Sequence, residues 1–303
     1  MKTGVESRDG TRAFLELREE LAALLQSYHV FKKKRASLKR PKSAKPEAFP
    51  RWESTFIQAM SPIPSLVELL RVQLERTGTT PPPFLREEEK EARRTIKDLN
   101  REFAAFYREA MPTWEKKGQT VRPTMIRDIP HLLSRKRKIP GHDRHLYLLM
   151  DGMRWDLWER IKQDFFGKMP DRFRLVREGA LWAHQPTTTS AQLPHLEQTL
   201  QEAYPDSNPP ELLWKISGID EKIHSEKGGL EHLFANVVRY LELDLLFRLR
   251  DLPSRTLLIL FADHGFVENP AFSPANKYGA DRYTHGQNTP FEVIVPWAWV
   301  MRL

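Results

Sequence analysis

The chain has no cysteine. Disulfides and thiolate metal sites are therefore excluded, and any metal must be held by His, Asp or Glu side chains or by hydroxyl oxygens. It also lacks an apolar run of the roughly 18–20 residues that a membrane-spanning helix needs, so no span is expected, and the partners expected do not include a membrane. The stretch Met1–Gly10 has no apolar segment and does not read as a secretory signal. A soluble, cytoplasmic protein is the expectation. No internal repeat is found. Acidic residues are in deficit, 40 Asp and Glu against 48 Lys and Arg, which leaves a net charge of +8 and a pI near 9.6. Such a balance favours anionic partners such as nucleic acid, phosphorylated ligands or membrane surfaces, without choosing among them.

What is present suffices for a real core: 40% of the 303 residues are hydrophobic, enough for one large domain or two modest ones. In residues 11–29, Phe14, Leu17, Leu21, Leu24, Leu25 and Tyr28 fall on one helical stripe. Residues 32–45 are dominated by Lys and Arg, and read either as a nucleic-acid contact or as a solvated linker. Ile57, Met60, Leu66, Leu69, Leu70 and Leu74 predict a second helix, opened or interrupted by Ser61-Pro-Ile-Pro64. Ala92, Ile96, Leu99, Phe103, Phe106 and Met111 predict a long amphipathic one. Residues 1–140 thus read as a helical, basic region ending at Arg135-Lys-Arg-Lys-Ile-Pro-Gly141.

From His145 the texture changes. Leu146-Tyr-Leu-Leu-Met150 predicts a buried strand ending in Asp151-Gly152, and Trp155, Leu157, Trp158 and Ile161 mark a helix behind it. Leu175–Trp182 reads as a second strand, and the hydroxyl-rich loop Pro186-Thr-Thr-Thr-Ser190 precedes another helix. A long helix over 229–250 buries Leu230, Leu233, Val237, Leu241, Leu245 and Leu249. Thr256–Ala262 is a second doubly buried strand, and it runs directly into Asp263-His264-Gly265. His285 lies in a later glycine-containing loop, ahead of a final apolar strand. Strands alternating with helices imply an α/β fold with a mostly parallel sheet.

In such sheets the chemistry collects at strand ends. The residues found there are Asp151, the Thr187–Thr189 loop, Asp263, His264 and His285. Asp220 and His224, four apart on a helical turn, face the same way and can share an ion. Each signal alone is weak; the ordered set is the signal.

That set resembles the alkaline phosphatase superfamily. Leu148-Leu-Met-Asp-Gly-Met-Arg-Trp155 and Thr284-His-Gly-Gln-Asn-Thr-Pro-Phe-Glu-Val-Ile-Val-Pro296 look more narrowly like the PglZ domain, which is met in phage-defence and bacterial signalling proteins. The resemblance covers about residues 145–303, and implies an alkaline-phosphatase-like catalytic domain over 141–303. It implies two divalent metals, zinc first and manganese second. Asp220, His224 and His285 would hold one; Asp151, Asp263, His264 and the nucleophile oxygen would hold the other. Pro186-Thr-Thr-Thr189 is similar to the Pro-Thr-x-Thr pattern of related phosphodiesterases. Thr189 is thereby the expected nucleophile, with Thr188 next. The function expected is metal-dependent phosphoester hydrolysis, on nucleotides or oligonucleotides. The other reading is a weakly active or inactive metal-binding component that assembles with partner proteins of a defence or signalling system.

Overall fold

The computed structural model describes residues 6–303 except 40, 42–44, 77, 79, 81, 117, 136–143, 206–211, 274, 277 and 278. Its centre is a five-stranded sheet with spatial order β2-β7-β4-β1-β3. These strands are β1 (Arg144–Met150), β2 (Phe173–Trp182), β3 (Leu213–Ile216), β4 (Thr256–Phe261) and β7 (Ile294–Arg302). β1 pairs in parallel with both β3 and β4, whereas β7 lies antiparallel between β4 and β2. The sheet is therefore mixed rather than mostly parallel in its pairing. β1 to β4 all point the same way, and β7 alone runs against them. The path from β4 to β7, residues 262–293, carries only the short helix Pro290–Val293 among its described residues, and with no crossover to the opposite end of the sheet the chain re-enters from the end that β4 has just left. A two-stranded ribbon, β5 (Val267–Glu268) with β6 (Tyr283–Thr284), occupies that path.

Burial follows strand position. β4 is buried throughout and β7 almost throughout, as central strands covered on both faces should be. β2 is an edge strand, and its Arg174–Glu178 stretch is exposed. Charge on an exposed edge discourages pairing with another chain. The other edge, β3, is four residues long and half-buried. It was not legible as a strand in the sequence.

Five α-helices precede β1 among the described residues, the first four being α1 (Glu6–Ala36), α2 (Phe49–Thr55), α3 (Ile63–Arg76) and α4 (Pro83–Trp114). A short helix, α5 (Ile129–Arg135), follows them. α2 continues into a π-turn over Phe56–Met60, and Ser61-Pro62 separates it from α3. The Ser61-Pro-Ile-Pro64 stretch thus interrupts the predicted helix, leaving Ile57 and Met60 before it and Leu66–Leu74 in α3, whose first turn holds Pro64, where a missing N–H costs nothing. The stripe positions Phe14, Leu17 and Leu21 lie outside the residues whose side chains are described; Leu24 and Tyr28 pack against a buried cluster of Phe31 with residues of α3 and α4, but Leu25 is exposed. The basic run is partly structural. Lys32–Ala36 belong to the end of α1, where Lys34 donates to the Gln58 carbonyl at 2.6 Å and Arg35 pairs with Glu88 and Glu91. Arg40 and Lys42–Ala44 of that run, and residues 136–141, lie outside the described residues. No described helix is long and apolar enough to cross a membrane.

One continuous core joins the helices to the sheet. Its hub is Trp182 at the end of β2. Around it stand Phe49, Phe103, Phe106, Tyr107 and Trp114, with ring centroids 5.4–6.5 Å away. Its indole donates to Glu53 at 3.1 Å, and the Tyr107 hydroxyl donates to the Ala183 carbonyl at 2.6 Å. α6 (Trp155–Asp164) and α7 (Thr189–Ala203) follow β1 and β2, and the helix predicted over 229–250 runs from Leu230 to Arg250 with a π-turn at Leu241–Leu245. All six leucine and valine positions of its predicted stripe are buried.

Because Trp182 contributes rings to both halves of this core, truncation leaves a large cavity. Trp182→Ala is expected to lower unfolding free energy by about 3–5 kcal/mol. Urea unfolding followed by circular dichroism measures this, and a loss below about 1 kcal/mol contradicts the assigned hub.

Candidate metal centre

The C-terminal ends of β1, β3 and β4 and the N-terminal end of β7 meet at one end of the sheet, since β7 alone is reversed. Each strand end delivers chemistry there. Asp151 leaves β1, Asp263 and His264 leave β4, and the helix Gly218–Ser225 after β3 carries Asp220 and His224 on one face. His285 lies ahead of β7. Thr189 is the first residue of α7, where helical N–H groups lack intrahelical partners and the dipole favours negative charge.

Two glycines permit the approach. Gly152 has φ +78°, a conformation that side chains rarely adopt, and an added Cβ would stand 2.8 Å from Ile223. Its backbone N–H can thereby donate to Asp263 Oδ1 at 3.2 Å. At Gly265 a Cβ would lie 2.0 Å from the Phe291 carbonyl oxygen. The glycine of Asp263-His264-Gly265 is thus required by packing against the segment that follows His285.

The seven residues singled out in the sequence come together here. The Thr189 hydroxyl donates to Asp151 Oδ1 at 2.9 Å and lies 3.2 Å from His264 Nε2. His264 Nε2 is 3.5 Å from Asp151 Oδ1 and 3.7 Å from Asp263 Oδ2. Asp151, Asp263 and His264 are all essentially inaccessible to solvent. Beside them stands a second, more open triangle. His224 Nε2 is 3.5 Å from Asp220 Oδ1 and 3.3 Å from His285 Nε2, and His285 Nε2 is 3.9 Å from Asp220 Oδ1. Ligand atoms of Asp220, His264 and His285 also lie within 4.8 Å of one another. His264 therefore touches both groups, whereas the sequence resemblance assigned it to one. Thr187 and Thr188 point elsewhere: Thr187 donates to the Gln287 carbonyl at 2.7 Å, and the Thr188 hydroxyl pairs with Ser190 at 3.1 Å.

The donors fit a divalent cation on several counts. Ligand atoms around a tetrahedral zinc stand about 3.3 Å apart, close to the separations in both groups. Asp263 Oδ1 accepts the N–H groups of Gly152 and His264, but its buried Oδ2 has no hydrogen-bond partner among the described residues. Asp220 Oδ1 is in the same state. Buried acceptors of this kind are costly unless something else satisfies them. His264 Nδ1 donates to the Gly265 carbonyl at 3.0 Å, since a carbonyl can only accept, and this turns Nε2 toward the carboxylates. His224 Nδ1 meets Asp281 at 3.2 Å, which likewise aims its Nε2 inward.

Without a cation, protons and one lysine balance the charge. Burial pushes the Asp263 carboxyl up, and burial likewise raises Asp220. Burial also opposes the charge on Asp151, but hydrogen bonds from His264 and Lys215 outweigh it and hold the carboxyl below its usual range. The His264 imidazolium is disfavoured by burial yet stabilised more by the Asp263 charge, and its pKa rises to about 9. Burial and the neighbouring His264 charge lower that of His285. Lys215 supplies the remaining charge, its Nζ 2.9 Å from Asp151 Oδ2. It is not legible in the sequence, because a four-residue edge strand gives no periodic signal and a lone lysine has no motif. Asp281 went unread for a similar reason: it sits in a loop 57 residues from His224.

The flanking loops are tied down by buried polar groups. Glu292 accepts from the N–H groups of Gln287 and Thr289 and from the Thr289 hydroxyl, which caps the short helix Pro290–Val293 and fixes the loop after His285. The Arg154 guanidinium pairs with Asp156 and lies between the Phe266 and Phe291 rings, 4.7 and 4.8 Å from their centroids. It joins the loop after β1 to those after β4 and before β7.

Compared with known proteins, the chain matches no family model and no curated protein.

His264 fixes the pH response of this centre. Its raised pKa gives the ion-free fold a contribution that is complete below about 6.5 and is lost as pH rises through about 9. A bound cation needs the neutral ring, so zinc must expel this proton. Zinc affinity is therefore expected to rise between about pH 6 and 9, with net proton release near neutrality. Titration calorimetry in buffers of differing protonation enthalpy reads both, and a pH-independent affinity without proton release contradicts the assignment.

Proposed function

We propose that the protein is a metal-dependent phosphoester hydrolase that acts on phosphodiesters of nucleotides or short nucleic acids, with Thr189 as nucleophile. The observation that carries this reading is the Thr189 hydroxyl, held at 2.9 Å on Asp151 inside a cluster of carboxylates and imidazoles. Thr189 is the first residue of α7, and its hydroxyl is turned into this cluster rather than to solvent. Asp151, Asp263, His264 and Thr189 would hold one cation and Asp220, His224 and His285 the other, with zinc first by donor type and manganese second. When bound, the cations supply charge that favours the threonine alkoxide and offsets charge on the attacked and departing oxygens.

The chain's own groups do the rest. Asp151 Oδ1 accepts the hydroxyl proton's hydrogen bond and so aims the oxygen's lone pairs away from itself, toward the open side of the centre. Attack forms a bond from Thr189 Oγ1 to phosphorus and breaks the bond to the leaving alcohol oxygen, which takes up the proton that the threonine gives off. Water then cleaves the threonine–phosphorus bond and restores the hydroxyl. The α7 N-terminus faces the phosphoryl group with positive potential. The basic balance of the chain supports a polyanionic substrate, held without regard to base sequence. The setting we infer is phage defence or bacterial signalling.

A second reading has one observation in its favour. Lys215 and the His264 imidazolium already offset the buried carboxylates without an ion. On that reading the centre is an assembly component of weak or no activity.

Thr189→Ala separates the two. Against bis-p-nitrophenyl phosphate, with zinc or manganese supplied, the change is expected to cost at least about a hundredfold in turnover while bound metal is largely retained. Wild type that hydrolyses neither this diester nor p-nitrophenyl phosphate would falsify the enzyme reading.

A further inference from the structure

Lys215 is the charged group at the centre that the hydrolase reading does not use. β3 pairs with β1 in the register Leu149↔Lys215 and Met150↔Ile216, so the lysine stands alongside the strand end that delivers Asp151. Its side chain is 40% exposed, while that of Asp151 is 3% exposed. The lysine side chain is thus partly open to solvent although its ammonium is paired with Asp151. The Asp263 and Asp220 carboxylates also attract it.

Lys215 and Thr189 take different oxygens of Asp151. The Lys215 ammonium lies 2.9 Å from Oδ2, and the Thr189 hydroxyl lies 2.9 Å from Oδ1. Ammonium and hydroxyl therefore flank a single carboxylate. A lysine ammonium is a compact point charge on a flexible four-carbon stem and can re-aim by a few Å. Once a cation takes up the charge of Asp151, the ammonium loses its strongest tie. A phosphoryl group brought to Thr189 presents anionic oxygens within the sweep of that stem.

We propose that Lys215 is the phosphoryl-binding residue of this centre: in the ion-free protein it rests on Asp151, and in the loaded protein it turns to the non-bridging oxygens of the phosphoryl group at Thr189. Metal loading and phosphoryl binding are thereby linked through one carboxylate. The inference rests on the phosphoester reading and adds to it the residue that holds the substrate's charge. A permanent structural ion pair, the competing account, would show in stability and metal retention rather than in anion affinity.

The test uses full-length wild type, Lys215→Met and Lys215→Arg, each loaded with zinc. Inorganic phosphate is titrated by calorimetry, zinc content is measured by elemental analysis, and kcat/KM is measured on bis-p-nitrophenyl phosphate. The expected result is that Lys215→Met keeps its zinc, binds phosphate at least about tenfold more weakly and loses kcat/KM by a similar factor, with Lys215→Arg recovering part of both. The ion-free Lys215→Met protein should also bind zinc more tightly than wild type, since no ammonium competes for Asp151. Unchanged phosphate affinity in Lys215→Met, or a wild type that binds no phosphate, overturns the proposal. Joint loss of zinc and of thermal stability in Lys215→Met assigns a structural pair and overturns it too. Phosphate binding through Lys215 in a wild type that cleaves no ester upholds the lysine's role and sinks the hydrolase; ester cleavage indifferent to Lys215 does the reverse.

Discussion

The arrangement turns on two carboxylates buried side by side. Asp151 and Asp263 leave neighbouring parallel strands at the same level, each about as inaccessible as a core leucine. Like charges this close in a medium of low polarity cannot both be left uncompensated. Much of the local structure answers that constraint. The amides of Gly152 and His264 donate to Asp263, the Thr189 hydroxyl and Lys215 serve Asp151, and the His264 ring stands between the two. Glycine at 152 and 265 is what lets the backbone come close enough for this.

The helical N-terminal half stands behind these loops. Phe56 meets Phe291 edge-on with centroids 5.2 Å apart, directly beside the carbonyl that presses on Gly265. Trp182 closes the aromatic cluster and begins the segment that leads to Thr189. Glu68 of α3 accepts from the Leu230 N–H at 2.6 Å, at the start of the helix that returns the chain to β4. The helices therefore bear on three of the segments that supply the site. That bearing is carried by rings and one carboxylate rather than by the basic run, whose Lys34 and Arg35 are spent on neighbouring helices.

Legibility in the sequence tracked how local the cause was. β1 and β4 were plain because a strand covered on both faces needs an unbroken apolar run, which Leu146–Met150 and Thr256–Phe261 provide. α4 and the helix from Leu230 to Arg250 were plain because their stripes repeat over many turns. The placement of Asp151, Asp263 and His264 was legible because each follows such a strand directly. β3 was not, since Leu213-Trp-Lys-Ile216 is too short to show a period and is half-covered at the sheet's edge. With β3 unseen, the neighbourhood of Lys215 was unseen as well. The reversed direction of β7 was hidden for a different reason: an apolar run carries no arrow, and only the path through the β5–β6 ribbon decides it. The shared position of His264 depends on ring orientations set by Gly265 and Asp151, contacts that spacing does not encode.

The site residues run from Asp151 to His285, so nearly half the chain must be threaded before the last donor arrives. Loops that long close slowly, and the contacts they bring form late on the path to the native state. An ion held by these donors would find few of them together in the folding transition state. It would act mainly as a brake on unfolding, lengthening the lifetime of the native fold while leaving the rate of its formation nearly untouched.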